Sequence, residues 1–301
     1  MLTLHGVPID DTFAEAFPMT AARLIVTAAT PNWALAAAQA ATGYASSVIG
    51  CDAEAGIERW LTPDETPDDR PGVSLLFFGF SRDALQKALV NRVGQSILTC
   101  ATTACYNGLP LVAGKNLRLG GQLRFFGDGW QQSKYLGGER FWRMPTMDGE
   151  FLCADWVGSQ KGVGGGNFLV LATDQKSGLD AAERAVEAIR QIPGVIVPFP
   201  GGIVRSGSKV GSKYKGLKAS TNHEFCPTLR GAVDSRLPNG VNCVYEIVID
   251  GLDRAAVEAA MRVGITAACR PGVTQITAGN YGGTLGPVHL KLHEILNAAP
   301  G

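Results

Sequence analysis

The chain repeats itself in order, and that limits its fold more than any other feature. Val26-Thr-Ala-Ala-Thr30 resembles Val170-Leu-Ala-Thr-Asp174, an offset of 144. Ala-rich stretches follow each copy, around Leu35-Ala-Ala-Ala and Leu179-Asp-Ala-Ala. Val48-Ile-Gly-Cys-Asp-Ala-Glu-Ala-Gly-Ile57 then resembles Ile196-Val-Pro-Phe-Pro-Gly-Gly-Ile203, and Asp83 to Gly94 resembles Asp253 to Gly264, an offset of 170. The growing offset places extra residues of the second half between Val204 and Asn242.

Each half reads β-α-β-β-α-β. The strands are short apolar runs such as Val73-Ser-Leu-Leu-Phe-Phe78 and Cys243-Val-Tyr-Glu-Ile-Val-Ile249. The helices carry Asp83 or Asp253 near the N-cap. Their apolar positions recur three and four apart: Leu85, Leu89 and Val93, or Val257, Met261 and Ile265. This order predicts an α+β chain of two ferredoxin-like (split βαβ) lobes made by internal duplication. Gly114 to Trp156 reads as an inserted β-meander turning at Gly120-Gly121, Gly137-Gly138 and Asp148-Gly149. The expected lobes are 1–156 with the insert and 157–301. Thr12-Phe-Ala-Glu15 has capping-box spacing and predicts a short helix.

Several functional classes are disfavoured. Twenty-seven basic and 27 acidic side chains cancel, which argues against a uniformly basic nucleic-acid binder. The most apolar stretch, Leu24 to Gly50, is broken by Pro31, Asn32 and Gln39, so no membrane span is expected. The N-terminus lacks a basic segment followed by an apolar one, and seven irregularly spaced Cys include no C-x-x-C pair. A cytoplasmic protein with buried free thiols is expected. Gly162-Val-Gly-Gly-Gly166 does not spell a dinucleotide loop and reads as a tight turn. In Gly202-Ile-Val-Arg-Ser-Gly207-Ser208-Lys209, Ser208 stands where a P-loop needs Lys. His289 and His293 are four apart without a third ligand nearby; they read as surface residues, and no metal site is expected.

Two features remain for chemistry. Ala188 to His223 contains no Asp or Glu but holds Arg190, Arg205, Lys209, Lys213, Lys215 and Lys218, among glycines and hydroxyls. Lysines, hydroxyls and exposed backbone N–H groups suit an anionic ligand; a solvated basic loop has the same composition. The second feature is Glu246, in the middle of an apolar strand. Aligned at the 170 offset, its first-half counterpart is Leu76. A desolvated carboxyl resists ionisation and can donate a proton at neutral pH. Alternatively, Asn242, Glu246 and Asp250 line a wet sheet face, or Glu246 pairs with an arginine.

Further segments fit one family together. These include Asp11-Thr-Phe-Ala-Glu-Ala-Phe17, Arg70-Pro-Gly-Val73, Phe125-Phe-Gly-Asp-Gly129, Gly165-Gly-Asn-Phe168, Pro198-Phe-Pro-Gly-Gly-Ile-Val204, Ser208-Lys-Val-Gly-Ser-Lys213, Ala219-Ser-Thr-Asn222, Cys226-Pro-Thr228 and Ala278-Gly-Asn280. Along nearly its whole length the chain resembles the formylmethanofuran–tetrahydromethanopterin formyltransferases. The resemblance implies two ferredoxin-like lobes. It also implies formyl transfer between the amine of methanofuran, or a methylofuran analogue, and N5 of tetrahydromethanopterin, without metal or covalent enzyme intermediate. It puts the catalytic acid on Glu246. The acid-free segment then becomes the place for the anionic carriers, with Gly201, Gly202, Ser206, Ser208, Lys209, Lys213, Ser220, Thr221 and Asn222 as binding residues. A homo-oligomer, a subunit of a formyltransferase/hydrolase complex, or both are implied. Neutral charge and 17 Arg against 10 Lys depart from the acid-rich archaeal pattern and look more like an aerobic methylotrophic bacterium. A catalytically silent scaffold subunit of a formyl hydrolase complex is the alternative.

Overall fold

A computed structural model describes residues 2–298. The protein is α+β, and its contacts divide it into two compact units: 19–162, and 1–18 together with 163–301. The break near 162 lies close to the expected boundary at 156. The N-terminal eighteen residues, however, belong with the C-terminal half.

In the 19–162 unit, the chain runs through β1 (Phe13–Thr27, from Met19 onward), α1 (Pro31–Thr42), β2 (Glu54–Leu61), β3 (Gly72–Gly79), α2 (Arg82–Arg92) and β4 (Ala104–Asn107). β1 pairs with β3 on one side and β4 on the other, and β2 flanks β3; all these pairings are antiparallel. Pro31 starts α1 because its fixed φ suits the first helical position and its missing N–H has no helical partner to lose. Ser81, not Asp83, caps α2, its hydroxyl accepting the Ala84 N–H at 3.2 Å. The insert is then a hairpin pair, β5 (Gln132–Leu136), β6 (Glu139–Thr146) and β7 (Gly149–Ala154), with β7 joining β4 in parallel. Gly137-Gly138 turns the chain as expected; at the next hairpin the turn is Met147-Asp148, one residue earlier than expected, and Gly149 opens β7. Gly120-Gly121 does not form the expected turn: it opens a single helical turn, Gly120–Leu123. A Cβ on Gly120 would stand 2.7 Å from the Ala154 carbonyl oxygen, so glycine serves close backbone approach there.

The second unit contains β8 (Ser159–Ala172, from Val163), α3 (Gln175–Ile189), β9 (Val195–Ile196), β10 (Cys243–Gly251), α4 (Arg254–Ala268) and β11 (Val273–Thr277). β8 lies between β10 and β11, and β9 flanks β10, so the first, third and fourth strands of each unit pair alike. Asp174 and Asp253 cap α3 and α4 by accepting the N–H groups of Ser177 and Ala256. Both helices lay small residues, Ala181, Ala182 and Ala185 or Ala260 and Ala268, into a core with Phe168, Val170, Ile247 and Ile249. Fully burying one such large side chain contributes about 1.5–3 kcal/mol, more than local helix propensity supplies per residue. The chain ends in β12 (Val288–Lys291) and the short α5 (Leu292–Asn297).

Three local expectations fail for tertiary reasons. Thr12 to Glu15 forms no helix; Phe13 to Ala16 is strand, paired with β12, and Ala14 and Ala16 are buried. Gly162–Gly166 lies inside β8, where one extra residue between Val163 and Gly166 makes a bulge instead of a turn. His289 and His293 sit on different elements and are half-buried: the His289 ring stacks on Phe13, and His293 Nε2 meets the Ile9 carbonyl at 2.9 Å. All seven cysteines are free; Cys105, Cys153, Cys243 and Cys269 are buried. No helix among the described residues is long and apolar enough to cross a membrane, and none of their His, Cys, Asp and Glu side chains cluster in a way that could hold a metal ion.

Candidate active site

β10 alternates. Ile247 and Ile249 enter the helical core, while Glu246 points to the other face, in one row with Leu169 of β8 and Thr277 of β11. This second face is covered by the 204–242 excursion, whose Phe225, Leu237 and Val241 pack on Leu169 and Leu171. Val204 exchanges two backbone bonds with Glu246, at 2.8 and 3.0 Å, so the excursion starts directly beside the carboxyl.

The Glu246 side chain is only 3% exposed. Ser208 holds both its oxygens: the backbone N–H donates to Oε2 at 2.7 Å and the hydroxyl meets Oε1 at 2.6 Å. Gly279 lies against the same carboxyl, and its N–H donates to Asn167 Oδ1 at 2.7 Å. Burial pushes the Glu246 carboxyl up; the two Ser208 bonds pull it down without cancelling that effect, and the group stays above its ordinary value. The Ser208 hydroxyl suits either state, donating to a carboxylate or accepting from a carboxylic acid.

A hairpin carries Ser208. Lys209 and Val210 pair with Ser220 and Ala219, and the Ser206 carbonyl accepts the Asn222 N–H at 3.0 Å and the Thr221 hydroxyl at 3.4 Å. Ser220 Oγ donates to the Gly211 carbonyl, and Lys209 Nζ meets His223 Nδ1 at 2.8 Å. Gly207 makes this possible: its φ is +74°, and a Cβ there would fall 2.3 Å from that of Asn222. Of the residues expected at the site, Ser206, Ser208, Lys209, Ser220, Thr221 and Asn222 therefore gather in the hairpin above Glu246. Lys213 stands in the exposed hairpin loop, 5.5 Å from the Tyr214 ring. Gly202 is buried against Val186 and Val197, a packing position; Gly201 beside it is exposed.

Tyr281 and Asn167 carry no individual signal in the sequence, and Glu15 carries only the capping-box spacing from Thr12. Tyr281 Oη accepts the Val210 N–H at 2.5 Å and lies 3.4 Å from the Ser208 carbonyl oxygen. All three lie in or beside segments that carried the family resemblance, but nothing in their spacing points to a shared site. On the same sheet face, a cleft of about 330 Å³ is lined by Thr12, Leu171, Phe225, Arg236, Thr277 and Asn280, among others.

The counterpart of Glu246 also changes. Strand ends and helix caps superimpose Gly79 on Gly251 and Ser81 on Asp253, which sets Ser74 opposite Glu246 and displaces Leu76. The offset is 172 from the strand end through the helix, where buried Leu85, Leu89 and Val93 match Val257, Met261 and Ile265; the likeness of Arg92-Val-Gly94 to Arg262-Val-Gly264 lies two residues out of step.

The family model for formylmethanofuran-tetrahydromethanopterin formyltransferase matches residues 2–146, and the model for its proximal lobe matches 149–295. The chain belongs to this formyltransferase family. The Methylococcus capsulatus formylmethanofuran–tetrahydromethanopterin formyltransferase is 57% identical, over 98% of this chain and 100% of the relative. Among solved structures, the Methanosarcina barkeri formyltransferase superimposes with a TM-score of 0.92 at 50% identity, covering 98% of this chain and 100% of that one. A chain of the Methylorubrum extorquens formyltransferase/hydrolase complex, solved with methylofuran, gives 0.95 at 51% identity, covering 99% of each chain. The geometry brings together a buried carboxyl with two neutral donors, a cleft on the same sheet face, and a basic, hydroxyl-rich hairpin.

Proposed function

We propose that this formyltransferase moves a formyl group between N5 of tetrahydromethanopterin and the primary amine of methanofuran or a methylofuran analogue, with Glu246 as the catalytic acid. The observation that carries this is the desolvated Glu246 carboxyl held at both oxygens by Ser208. N5 attacks the formyl carbon of the amide-like donor, the C–N5 bond forms, and the carbonyl oxygen becomes an alkoxide. A preorganised donor at that oxygen is worth roughly 3–4 kcal/mol. Collapse re-forms the carbonyl and breaks the bond to the furan amine, which takes a proton from Glu246; the N5 proton returns to the carboxylate. Protons balance over the cycle, and the reverse reaction uses the same groups. Alignment of the two bound carriers supplies the larger share of the acceleration.

Ser206, Lys209, Ser220, Thr221 and Asn222 are proposed to receive the anionic extensions of the carriers, with Lys213 drawing them in from the loop. Two ferredoxin-like lobes from one duplication account for the matching strand pairings. The enzyme is read as cytoplasmic and as working in a homo-oligomer or within a formyltransferase/hydrolase complex; the Methylorubrum extorquens relative, part of such a complex, supports the last of these. Formyl exchange between the two purified carriers, followed with wild type and Glu246→Gln, tests the reading. No exchange by the wild type would refute the activity and leave the silent scaffold in its place.

A further inference from the structure

Glu15 is a buried carboxylate that the reaction above does not use. It is 3% exposed, and four backbone N–H groups of one loop converge on it. Those of Tyr281 (2.8 Å) and Gly283 donate to Oε1, and those of Leu285 (3.0 Å) and Gly286 (2.8 Å) to Oε2. Backbone N–H groups arranged in this way form an anion receptor, and here the chain's own strand β1 supplies the anion. Burial pushes the Glu15 carboxyl up, but the four donors outweigh it and the group lies below its ordinary value. It therefore stays charged where Glu246 resists charge.

The loop tied down by Glu15 carries Tyr281. Its phenol receives the Val210 N–H and faces the Ser208 carbonyl, on either side of Lys209. Ser208 in turn holds Glu246. Resting on the reading of Glu246 as the acid, we propose that Glu15 and Tyr281 are positioning residues for formyl transfer, locking the Ser208 hairpin onto the Glu246 carboxyl. The other ionisable groups nearby are engaged elsewhere: Lys209 with His223, and Asp250, further along β10, with the Gly165 N–H.

The test is kcat for formyl exchange against pH, with the full chain, in Tyr281→Phe, Glu15→Gln and Glu246→Gln. Misplacing a reacting group by about 1 Å costs on the order of 100-fold, so kcat should fall about 10- to 100-fold in the first two, with KM for both carriers within about twofold. The decisive readout is the alkaline limb, set by the Glu246 proton. Weaker Ser208 bonds stabilise the carboxylate less, so this limb should move up by at least about half a unit. Loss of the Glu15 charge alone would move it down, so an upward shift reports the clamp. A merely structural role would scale activity and leave the limb in place. If Glu15→Gln does not fold, Tyr281→Phe decides, because it removes a single hydroxyl from a partly exposed residue. An unmoved limb in Tyr281→Phe overturns the proposal while Glu246→Gln stays inactive; a fully active Glu246→Gln overturns the Glu246 reading itself.

Discussion

Glu246→Gln is an unusually clean perturbation because of how Ser208 holds the carboxyl. The Ser208 backbone N–H can only donate, so the Gln carbonyl oxygen must take the place of Oε2. The Gln amide nitrogen then replaces Oε1, facing a Ser208 hydroxyl that can rotate and accept from it. Shape and both bonds survive; the transferable proton does not. Loss of a general acid lowers kcat by about 10²–10⁴-fold, or roughly 3–5 kcal/mol. Glu246→Ala removes both partners of Ser208 and leaves a void, so its loss includes misplacement of the hairpin. The carboxyl's raised pKa also gives a sign for stability. Its folded state holds the proton longer than the unfolded chain, so its stabilising share is full below about 4.5 and is lost as pH rises through the raised value. Glu246→Gln should therefore melt no lower than wild type at pH 8. The assay is kcat for formyl exchange with melting temperatures alongside. A Gln variant with near-normal kcat would refute proton donation, and an Ala variant with near-normal kcat would remove Glu246 from the mechanism.

Lys209→Ala and Lys213→Ala should raise KM for an anionic carrier more than they lower kcat, because such contacts hold ground and transition states alike; unchanged KM for both carriers would contradict this. Gly207→Ala forces a side chain into a left-handed backbone position and onto Asn222, so activity should fall at least tenfold while the core melts near wild type, as kinetics and differential scanning calorimetry can show. Glu15 contributes stability above about pH 4.5 that is lost as pH falls through its lowered value; the melting-temperature gap between wild type and Glu15→Gln should be widest near pH 7 and close in acid.

What the sequence makes legible is what local pattern controls. The α helices near the expected positions have their apolar spacing and polar N-caps written in consecutive residues, and Gly137-Gly138 specifies its hairpin alone. Thr12 to Glu15 is different. Its capping-box spacing is a real local signal, but pairing with Val288–Lys291 and burial of Ala14 and Ala16 outweigh the about 1 kcal/mol a cap supplies. The same tertiary placement delivers Glu15 to a loop some 270 residues away in sequence, which no spacing rule reveals. Glu246 was legible because a carboxyl in an apolar strand is costly and so asks for a reason. Tyr281 was not, because an aromatic in a Gly-rich loop is equally at home as a surface residue.

The corrected register sets two buried carboxyls in comparison. At the matching place in the 19–162 unit, Ser74 donates to Glu58 Oε2 at 2.6 Å, and Glu58 is gripped by Arg23 at 2.7 and 2.5 Å. Both units thus bury a carboxyl on the third strand or its neighbour, and both bring a serine hydroxyl to it. The difference is the cation. The guanidinium makes Glu58 half of an ion pair between β1 and β2. Among the described residues Glu246 meets the neutral donors of Ser208, and desolvation holds its carboxyl above the ordinary value. The position of Arg23 in the 19–162 unit is matched, at the offset of 144, by the neutral Asn167 in the second, so the strand beside Glu246 brings no guanidinium at that place.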